Sequence, residues 1–330
     1  MLINILGGSG FIGTCLTKRL LNNNINKVNI IDKVQSSFFP EITYIADVTK
    51  IETIDPLIIK DSIIINLAAE HRDNVSPLSL YEEVNVLGAK NICDVANKNG
   101  ISKIVFTSSV AVYGFAPIGT NENGKINPFN EYGRTKFLAE EIFKAWQLEE
   151  SSTRSVVIVR PTVVFGERNR GNVYNLFKQI SSRKFMMIGD GENRKSMAYV
   201  ENLAAFLEYA LDFGPGVHIY NYIDKPDFTM NALVSHVSSI MGRPEKVELR
   251  IPYIVGLLIG KFFDLASFIL NKKYPISSIR VKKFCANSIY ESSVSTTGFN
   301  SPVNLISAIE KTVRYEFIES KNCDKVFYSE

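Results

Sequence analysis

The chain has 330 residues, and its 37 basic and 34 acidic side chains give a formal net charge of +3. This near balance excludes a nucleic-acid binder of the basic-patch kind, and 45% hydrophobic with 22% charged residues exclude a disordered chain. A single core rarely grows past about 250–300 residues, so we expect one large domain and a smaller one. The widely spaced cysteines predict neither a disulfide framework nor a metal site and favour a reducing compartment: Cys15, Cys93, Cys285 and Cys323.

The first half of the chain alternates short apolar runs with longer helical patterns. Predicted strands cover residues 2–6, 28–31, 42–45, 62–67, 103–107 and 156–160, and predicted helices cover 11–21, 78–99 and 132–148. Strands that alternate with helices of this length are typical of βαβ units. The pattern therefore predicts an α/β fold with a Rossmann-type, doubly wound parallel sheet that helices cover on both faces.

The pattern changes after Pro161. Helical segments near 172–182, 201–212, 229–241, 253–270 and 303–318 are separated by irregular stretches. We expect residues 1–165 to form the large sheet domain and residues 166–330 a smaller mixed α/β domain, with the chain free to cross between them.

A glycine-rich loop follows the first predicted strand directly and opens the first helix. Gly7, Gly10 and Gly13 permit a tight turn in which backbone N–H groups approach a pyrophosphate at the positive end of the helix dipole. Asp32 ends the second predicted strand, nineteen residues after Gly13, where its carboxylate would accept the adenosine ribose hydroxyls. Its charge would repel a 2′-phosphate, which favours NAD over NADP.

A Y-x-x-x-K pattern marks the helix at 132–148. Tyr132 and Lys136 share a helix face, where an ammonium would lower the tyrosine pKa from about 10 toward neutrality, as a general acid/base needs. Tyr174 and Lys178 have the same spacing, which we interpret as an ordinary helix surface. The hydroxyl residues 107–109 distinguish Tyr132, because ligands of open α/β sheets bind at the carboxyl ends of strands.

Taken together, these motifs resemble the extended branch of the short-chain dehydrogenase/reductase superfamily, the NAD-dependent epimerase/dehydratase family. The resemblance implies Ser109, Tyr132 and Lys136 as catalytic residues, with Ser108 as the alternative hydroxyl at the substrate. It also implies a set of NAD-binding residues: Gly7, Gly10, Phe11, Ile12, Gly13, Asp32, Asp47, Val48, Ala68, Asn85, Tyr132 and Lys136.

The residues after Ser109 argue against dehydration. Sugar-nucleotide 4,6-dehydratases of this branch carry acidic residues where Val110 and Ala111 stand here, and water elimination needs a carboxylic acid and a carboxylate. The resemblance therefore favours 4-epimerisation. In that reaction Tyr132 takes the proton of the sugar O4, NAD takes the C4 hydride, and the hydride returns to the opposite face of a 4-keto sugar.

The predicted substrate side departs from common UDP-sugar epimerases. Val163 stands where those enzymes have an asparagine that meets the nucleotide diphosphate. Arginine suits phosphate oxygens, although the stretch 167–174 is equally consistent with a solvated loop. The predicted substrate contacts of this region are Arg168, Arg170, Asn172 and Lys195.

Residues 253–270 form the most apolar stretch of the chain. Wound as a helix, they carry apolar side chains over about half the circumference, with a basic cluster just beyond at 272–283. This pattern fits either a helix resting on an anionic membrane or a core helix of the second domain.

Several longer phrases resemble the bacterial N-acetylglucosaminyl-diphospho-undecaprenol 4-epimerases over essentially the whole chain: 68–77, 166–175, 195–200 and 277–286. This resemblance implies a lipid-linked sugar substrate for O-antigen or other surface-polysaccharide biosynthesis. It implies a peripheral enzyme on the inner face of the cytoplasmic membrane, held by 253–270 and nearby Lys/Arg, and a homodimer. The open alternatives are a UDP-N-acetylglucosamine 4-epimerase, a sugar reductase and a non-catalytic NAD-binding protein.

Overall fold

A computed structural model describes residues 1–23, 27–72, 75–244, 249–270, 277–319 and 325–328. Its strands are β1 Leu2–Leu6, β2 Val28–Asp32, β3 Thr43–Ile45, β4 Ser62–Asn66, β5 Lys103–Thr107, β6 Ser155–Pro161, β7 Val163–Phe165, β8 Met187–Ile188, β9 Arg194–Tyr199, β10 Gly216–Tyr222, β11 Asp224–Thr229 and β12 Arg250–Ile251. Its helices are α1 Phe11–Asn22, α2 Ile51–Ile54, α3 Ser79–Tyr81, α4 Gly88–Lys98, α5 Glu131–Glu149, α6 Asn172–Ser181, α7 Val200–Tyr209, α8 Met230–Ile240, α9 Tyr253–Leu270, α10 Ser278–Cys285 and α11 Leu305–Phe317.

Seven strands form one parallel sheet in the order β10-β6-β5-β4-β1-β2-β3. The order reverses beside β1, so the connecting helices lie on both faces, and the predicted doubly wound fold is confirmed. All six predicted strands are present. Strand β10 was not predicted, because its alternating polar residues at the sheet edge lack the continuous apolar run of a central strand.

Two apolar layers enclose this sheet. On one face, β-branched residues of the strands pack against α4 and α5, where Phe106, Phe143 and Trp146 are fully buried. On the other face they pack against α1 and α7, through Leu16 and Phe206 among others. Strands buried on both faces explain why the sequence shows uninterrupted runs such as 62–66.

A second, smaller group of elements follows β6. Strands β11, β9 and β7 form one sheet and β12 pairs with β8, while α6, α8 and α11 enclose a core that includes Phe177, Met197 and Leu233. The division of the chain at residue 165 stays a prediction. Strand β10 and helix α7 come from the later half of the chain, but β10 belongs to the seven-stranded sheet and α7 packs on one face of it.

The long helix predicted over 78–99 has three parts. Between α3 and α4, residues Glu82–Leu87 form a π-helical stretch. Such stretches are rare and occur often at functional sites. This one carries Asn85, whose side chain points into the protein.

Helix α9 rests on the protein through its glycines. A Cβ at Gly256 would lie 2.6 Å from Ile188 Cγ2, and one at Gly260 would lie 2.8 Å from Ser278 Cα, so these positions permit close approach to β8 and α10. The opposite stripe faces solvent. Its side chains are 58–69% exposed: Ile254, Leu258, Phe262, Leu265 and Ile269.

This arrangement excludes the core-helix interpretation of 253–270. Within the part of the chain that the structure describes, no helix is both long and apolar enough to cross a bilayer. Of the predicted basic cluster, Lys272 and Lys273 lie outside the described residues.

Candidate active site

Two hydroxyl groups meet at the carboxyl end of β5. Ser109 caps the 3₁₀ turn Val110–Tyr113, and its Oγ accepts the Ala111 N–H at 3.1 Å. Helix α5 begins directly against that turn, since a Cβ at Gly133 would lie only 2.4 Å from the Ala111 carbonyl oxygen. This close approach places Tyr132 near Ser109, whose hydroxyl favours the ionised form of the tyrosine.

The pKa values at this site differ from the sequence-based prediction. Burial raises the pKa of Tyr132 to about 12, and the Ser109 hydrogen bond opposes that rise only in part. Lys136 does not lower it here. Its Nζ donates to the Thr107 carbonyl at 2.6 Å and lies 4.5 Å from the Phe106 ring centroid. Burial lowers the pKa of Lys136 to about 7, against the attraction of Glu140.

Ser108, the alternative hydroxyl, points away from the site. Its Oγ donates to Glu140, a fully buried carboxylate that also receives two N–H groups of Arg160. Its only hydroxyl proton is used inside the protein, and Ser108 as a substrate contact stays a prediction.

The network around Glu140 is the main feature that sequence reasoning missed. Arg160 also donates to the Tyr113 hydroxyl at 2.6 Å, and Tyr113 in turn donates to Asn221 Oδ1 at 2.8 Å. These contacts link α5, β6, the turn after Ser109 and β10. One signal was available, because Glu140 lies four residues after Lys136 and so shares its helix face.

The glycine loop fits a dinucleotide. Gly7 has φ +75°, and a Cβ there would lie 2.6 Å from Ala68 N, so the loop packs against the chain after β4. Helix α1 begins at Phe11 with no side-chain cap and no acidic residue in its first turn. Its amino end therefore has the character of an anion site, suited to a pyrophosphate.

Asp32 fits the adenosine ribose. Its two carboxylate oxygens accept the N–H groups of Ser9 at 3.0 Å and Val34 at 3.1 Å, which fixes the side chain beside the loop. Burial raises the pKa of Asp32, and these backbone hydrogen bonds oppose the rise.

Three predicted cofactor residues make contacts within the protein. Asp47 Oδ1 accepts both the N–H and the hydroxyl of Thr49, and Val48 is buried against Gly88. The Asn85 amide bonds the backbone of Glu70 in both directions and donates to Thr135 at 2.9 Å. Asn85 thus fixes the loop after β4 to α5.

The arginines of the predicted substrate stretch bind the last helix instead. Arg168 Nε donates to the Tyr315 hydroxyl at 2.6 Å, and Arg170 forms a 3.0 Å ion pair with Glu316. Asn172 begins α6 and is exposed. Long-range partners that a local pattern does not reveal engage their guanidinium groups, and both arginines as substrate contacts stay a prediction.

Lys195 has a structural role as well. Its Nζ donates to the carbonyls of Lys283 and Ala286 and lies 3.4 Å from Ser288 Oγ, so it closes the carboxyl end of α10. All three N–H groups of the ammonium have protein partners, and the substrate contact of Lys195 stays a prediction.

No group of three or more His, Cys, Asp or Glu side chains in the described ranges is arranged to hold a metal ion. The described part of the chain thus offers a dinucleotide cradle beside a serine, a tyrosine and a buried lysine.

Comparisons with known proteins show the family of this chain. The model of the NAD dependent epimerase/dehydratase family matches residues 3–222. The N-acetyl-alpha-D-glucosaminyl-diphospho-ditrans,octacis-undecaprenol 4-epimerase of Escherichia coli O157:H7 is 47% identical over 99% of this chain and 98% of its own.

More distant relatives share the fold. The UDP-glucose 4-epimerase of Vibrio cholerae is 24% identical over 81% of this chain and 84% of its own. The crystal structure of the Thermus thermophilus UDP-glucose 4-epimerase complex with NAD superposes with a TM-score of 0.73 at 19% identity. That match covers 96% of this chain and 98% of the other.

Proposed function

This chain belongs to the NAD dependent epimerase/dehydratase family, and on that basis we propose that it is a 4-epimerase of a lipid-linked sugar. The substrate would be N-acetylglucosaminyl-diphospho-undecaprenol, converted to its N-acetylgalactosaminyl epimer for surface-polysaccharide biosynthesis. The observation that carries the proposal is the 47% identity, over nearly the full length of both chains, with an enzyme named for that reaction.

The solvent-facing stripe of α9 supports the choice of a lipid-linked substrate. Five large apolar side chains on one helix face are too many to leave in water without a function. A polyprenyl substrate lies in the membrane, so an enzyme that acts on its sugar gains from a helix that rests on the bilayer surface. Val163, where UDP-sugar epimerases have a diphosphate-binding asparagine, agrees with a site that binds no uridine.

The side chains at the end of β5 suit proton transfer at the sugar O4. Tyr132 would accept and return the O4 proton, and the nearby Ser109 would orient that oxygen. NAD, when bound, supplies reversible hydride acceptance at the sugar C4. The glycine loop and Asp32 would hold it, and Lys136, beside the Thr107 carbonyl, would bind its nicotinamide ribose.

Two different surfaces support a proposed location and a proposed assembly. The stripe of α9 and the exposed Lys282 on α10 would hold the protein to an anionic inner membrane face in the bacterial cytoplasm. A homodimer would form through the helices over 78–99 and 132–148, where Leu87 and Leu148 are exposed.

The test offers purified enzyme two substrates separately, UDP-N-acetylglucosamine and N-acetylglucosaminyl-diphospho-undecaprenol in detergent. The products are analysed for the galacto configuration. We expect conversion of the lipid-linked sugar alone. Conversion of the UDP-sugar alone would refute the proposed substrate and leave an ordinary nucleotide-sugar epimerase.

A further inference from the structure

Two exposed aromatic rings lie at the two ends of the loop that leads into α5, the helix of Tyr132. Phe115 is 55% exposed and Phe129 is 43% exposed, and their ring centroids are 5.0 Å apart. Phe129 stands three residues before Tyr132, so the two Cα atoms are at most about 11 Å apart. Ile118, 64% exposed, follows on the same loop. We call Phe115, Ile118 and Phe129 the rim platform.

The backbone holds the rim platform in place. A Cβ at Gly114 would lie 2.1 Å from the Asn127 carbonyl oxygen, so the two ends of the loop are in contact just before each phenylalanine. The Gly119 N–H donates to the Ile289 carbonyl at 3.0 Å, and the Glu291 N–H donates to the Thr120 carbonyl at 3.0 Å. A rigid loop that presents apolar rings to solvent is prepared for a ligand rather than packed for stability.

A positive charge borders the rim platform. Lys283 of α10 lies with its Nζ 4.6 Å from the Phe129 ring centroid. In the part of the chain that the structure describes, no carboxylate pairs with this ammonium. Apolar rings beside an unpaired cation complement an amphiphile whose anionic group adjoins a hydrocarbon chain.

Helix α10 connects the rim platform to α9. Lys283 belongs to α10, and α10 begins at Ser278, whose N–H donates to Asp264 of α9. Ile279, 45% exposed, lies on α10 between the two. Helix α10 therefore connects the rim platform to α9, with the apolar Ile279 exposed along it.

We propose that the rim platform binds the isoprene units nearest the diphosphate of a polyprenyl-linked sugar, between the catalytic hydroxyls and the membrane helix. This inference rests on the proposed function and deepens it. It gives the enzyme a means to recognise lipid rather than nucleotide within the site, separately from membrane attachment through α9.

The test compares N-acetylglucosaminyl diphosphates that carry no prenyl group, a short prenyl chain or undecaprenol, all in detergent. In the wild type we expect KM to fall by about tenfold when the first isoprene units are added. The Phe115→Ala/Phe129→Ala double variant should lose this gain and keep kcat within about twofold. The matched control is Tyr44→Ala, which removes an aromatic ring of similar exposure, 44%, on β3.

The outcomes separate the two proposals. If the double variant keeps the full gain from the first isoprene units, or loses affinity equally for every chain length, the rim platform does not bind prenyl and only this inference fails. If the wild type converts UDP-N-acetylglucosamine but no diphospho-lipid, the proposed function fails. The rings are exposed, so the double variant should melt within a few degrees of the wild type, which a thermal scan checks.

Discussion

At the level of single residues, the site depends on a tyrosine that is harder to ionise than its sequence motif indicates. Burial acts on Tyr132 and Lys136 in opposite directions, because it disfavours the charged form of each. The tyrosine pKa rises and the lysine pKa falls. The Y-x-x-x-K spacing alone predicted only the attraction between phenolate and ammonium and not the cost of burying both.

Removal of the Tyr132 hydroxyl tests its role as the acid/base. We expect Tyr132→Phe to lower kcat by about 10²–10⁴-fold, the range for loss of a positioned proton-transfer group, while NAD binding persists. Tyr174→Phe is the matched control, since Tyr174 has the same spacing to a lysine but stacks on Phe317 in the second group of elements. Steady-state kinetics measure the kcat of each variant, and a titration of protein fluorescence with NAD measures cofactor binding. Equal losses of kcat in both variants would contradict the assignment.

The depressed pKa of Lys136 predicts a pH-dependent stability. Its pKa falls from 10.5 to about 7 on folding, so between these values the unfolded chain binds one more proton at this position than the folded protein. The contribution of Lys136 to the free energy of unfolding therefore rises with pH between about 7 and 10.5. Relative to Lys136→Met, the wild type should gain about 1 kcal/mol per pH unit from pH 7 to 9.

Urea unfolding of both proteins across this range measures the difference. The comparison with Lys136→Met removes the contribution of other titrating groups, such as the buried Cys15 and Cys93, whose raised pKa values act with the opposite sign. A pH-independent difference would show that Lys136 titrates normally.

Among the secondary-structure elements, helix α9 combines two sequence patterns. One is a pair of glycines that lets the helix pack closely, and the other is a stripe of exposed apolar residues. Gly256 and Gly260 lie one turn apart and let the helix rest closely on β8 and α10. The stripe that begins at Ile254 faces away. A larger residue at either glycine would lift the helix from its support, so the same 18-residue segment encodes both its attachment and its exposed face.

Charge on the exposed stripe should weaken membrane binding. We expect wild-type protein to sediment with anionic phospholipid vesicles and Leu258→Glu/Phe262→Glu to partition at least about tenfold more weakly, because two apolar side chains that would enter the bilayer are lost. Ile45→Glu/Ile59→Glu is the matched control, with side chains 59% and 55% exposed elsewhere. Binding of wild type and both variants to the same extent would argue against α9 as the membrane contact.

Across the protein as a whole, the buried ion pair of Glu140 and Arg160 joins elements that are distant in sequence. Glu140 on α5 and Arg160 on β6 are 0% and 2% exposed, and the network reaches β10 through Tyr113. Loss of one partner leaves a buried charge uncompensated, which is far more costly than loss of an exposed pair.

We therefore expect Glu140→Gln to lower the unfolding free energy by about 3–5 kcal/mol. Glu310→Gln, which removes the exposed pair with Arg314, should change it by less than about 1 kcal/mol. Denaturant unfolding measures both. If Glu140→Gln lowers the unfolding free energy as little as Glu310→Gln does, water reaches and solvates the Arg160 guanidinium in the variant.

Local chemistry along the chain was enough to predict the parts of the fold and site that depend on near neighbours. Six strands, the glycine loop, Asp32 and the pair of Tyr132 and Lys136 followed from runs, turns and spacings of fewer than about 25 residues. These patterns are reliable because strand burial and loop geometry depend on neighbours along the chain.

Which polar side chains are free to act could be known only from the folded protein. Arg168, Arg170, Lys195 and Ser108 look available in sequence, yet each is engaged by residues remote along the chain. Whether 253–270 is core or surface was equally undecided, because an apolar helix can satisfy the same pattern in either place. Partners brought together by folding settle such questions, since a buried polar group must find its hydrogen bonds wherever the fold supplies them.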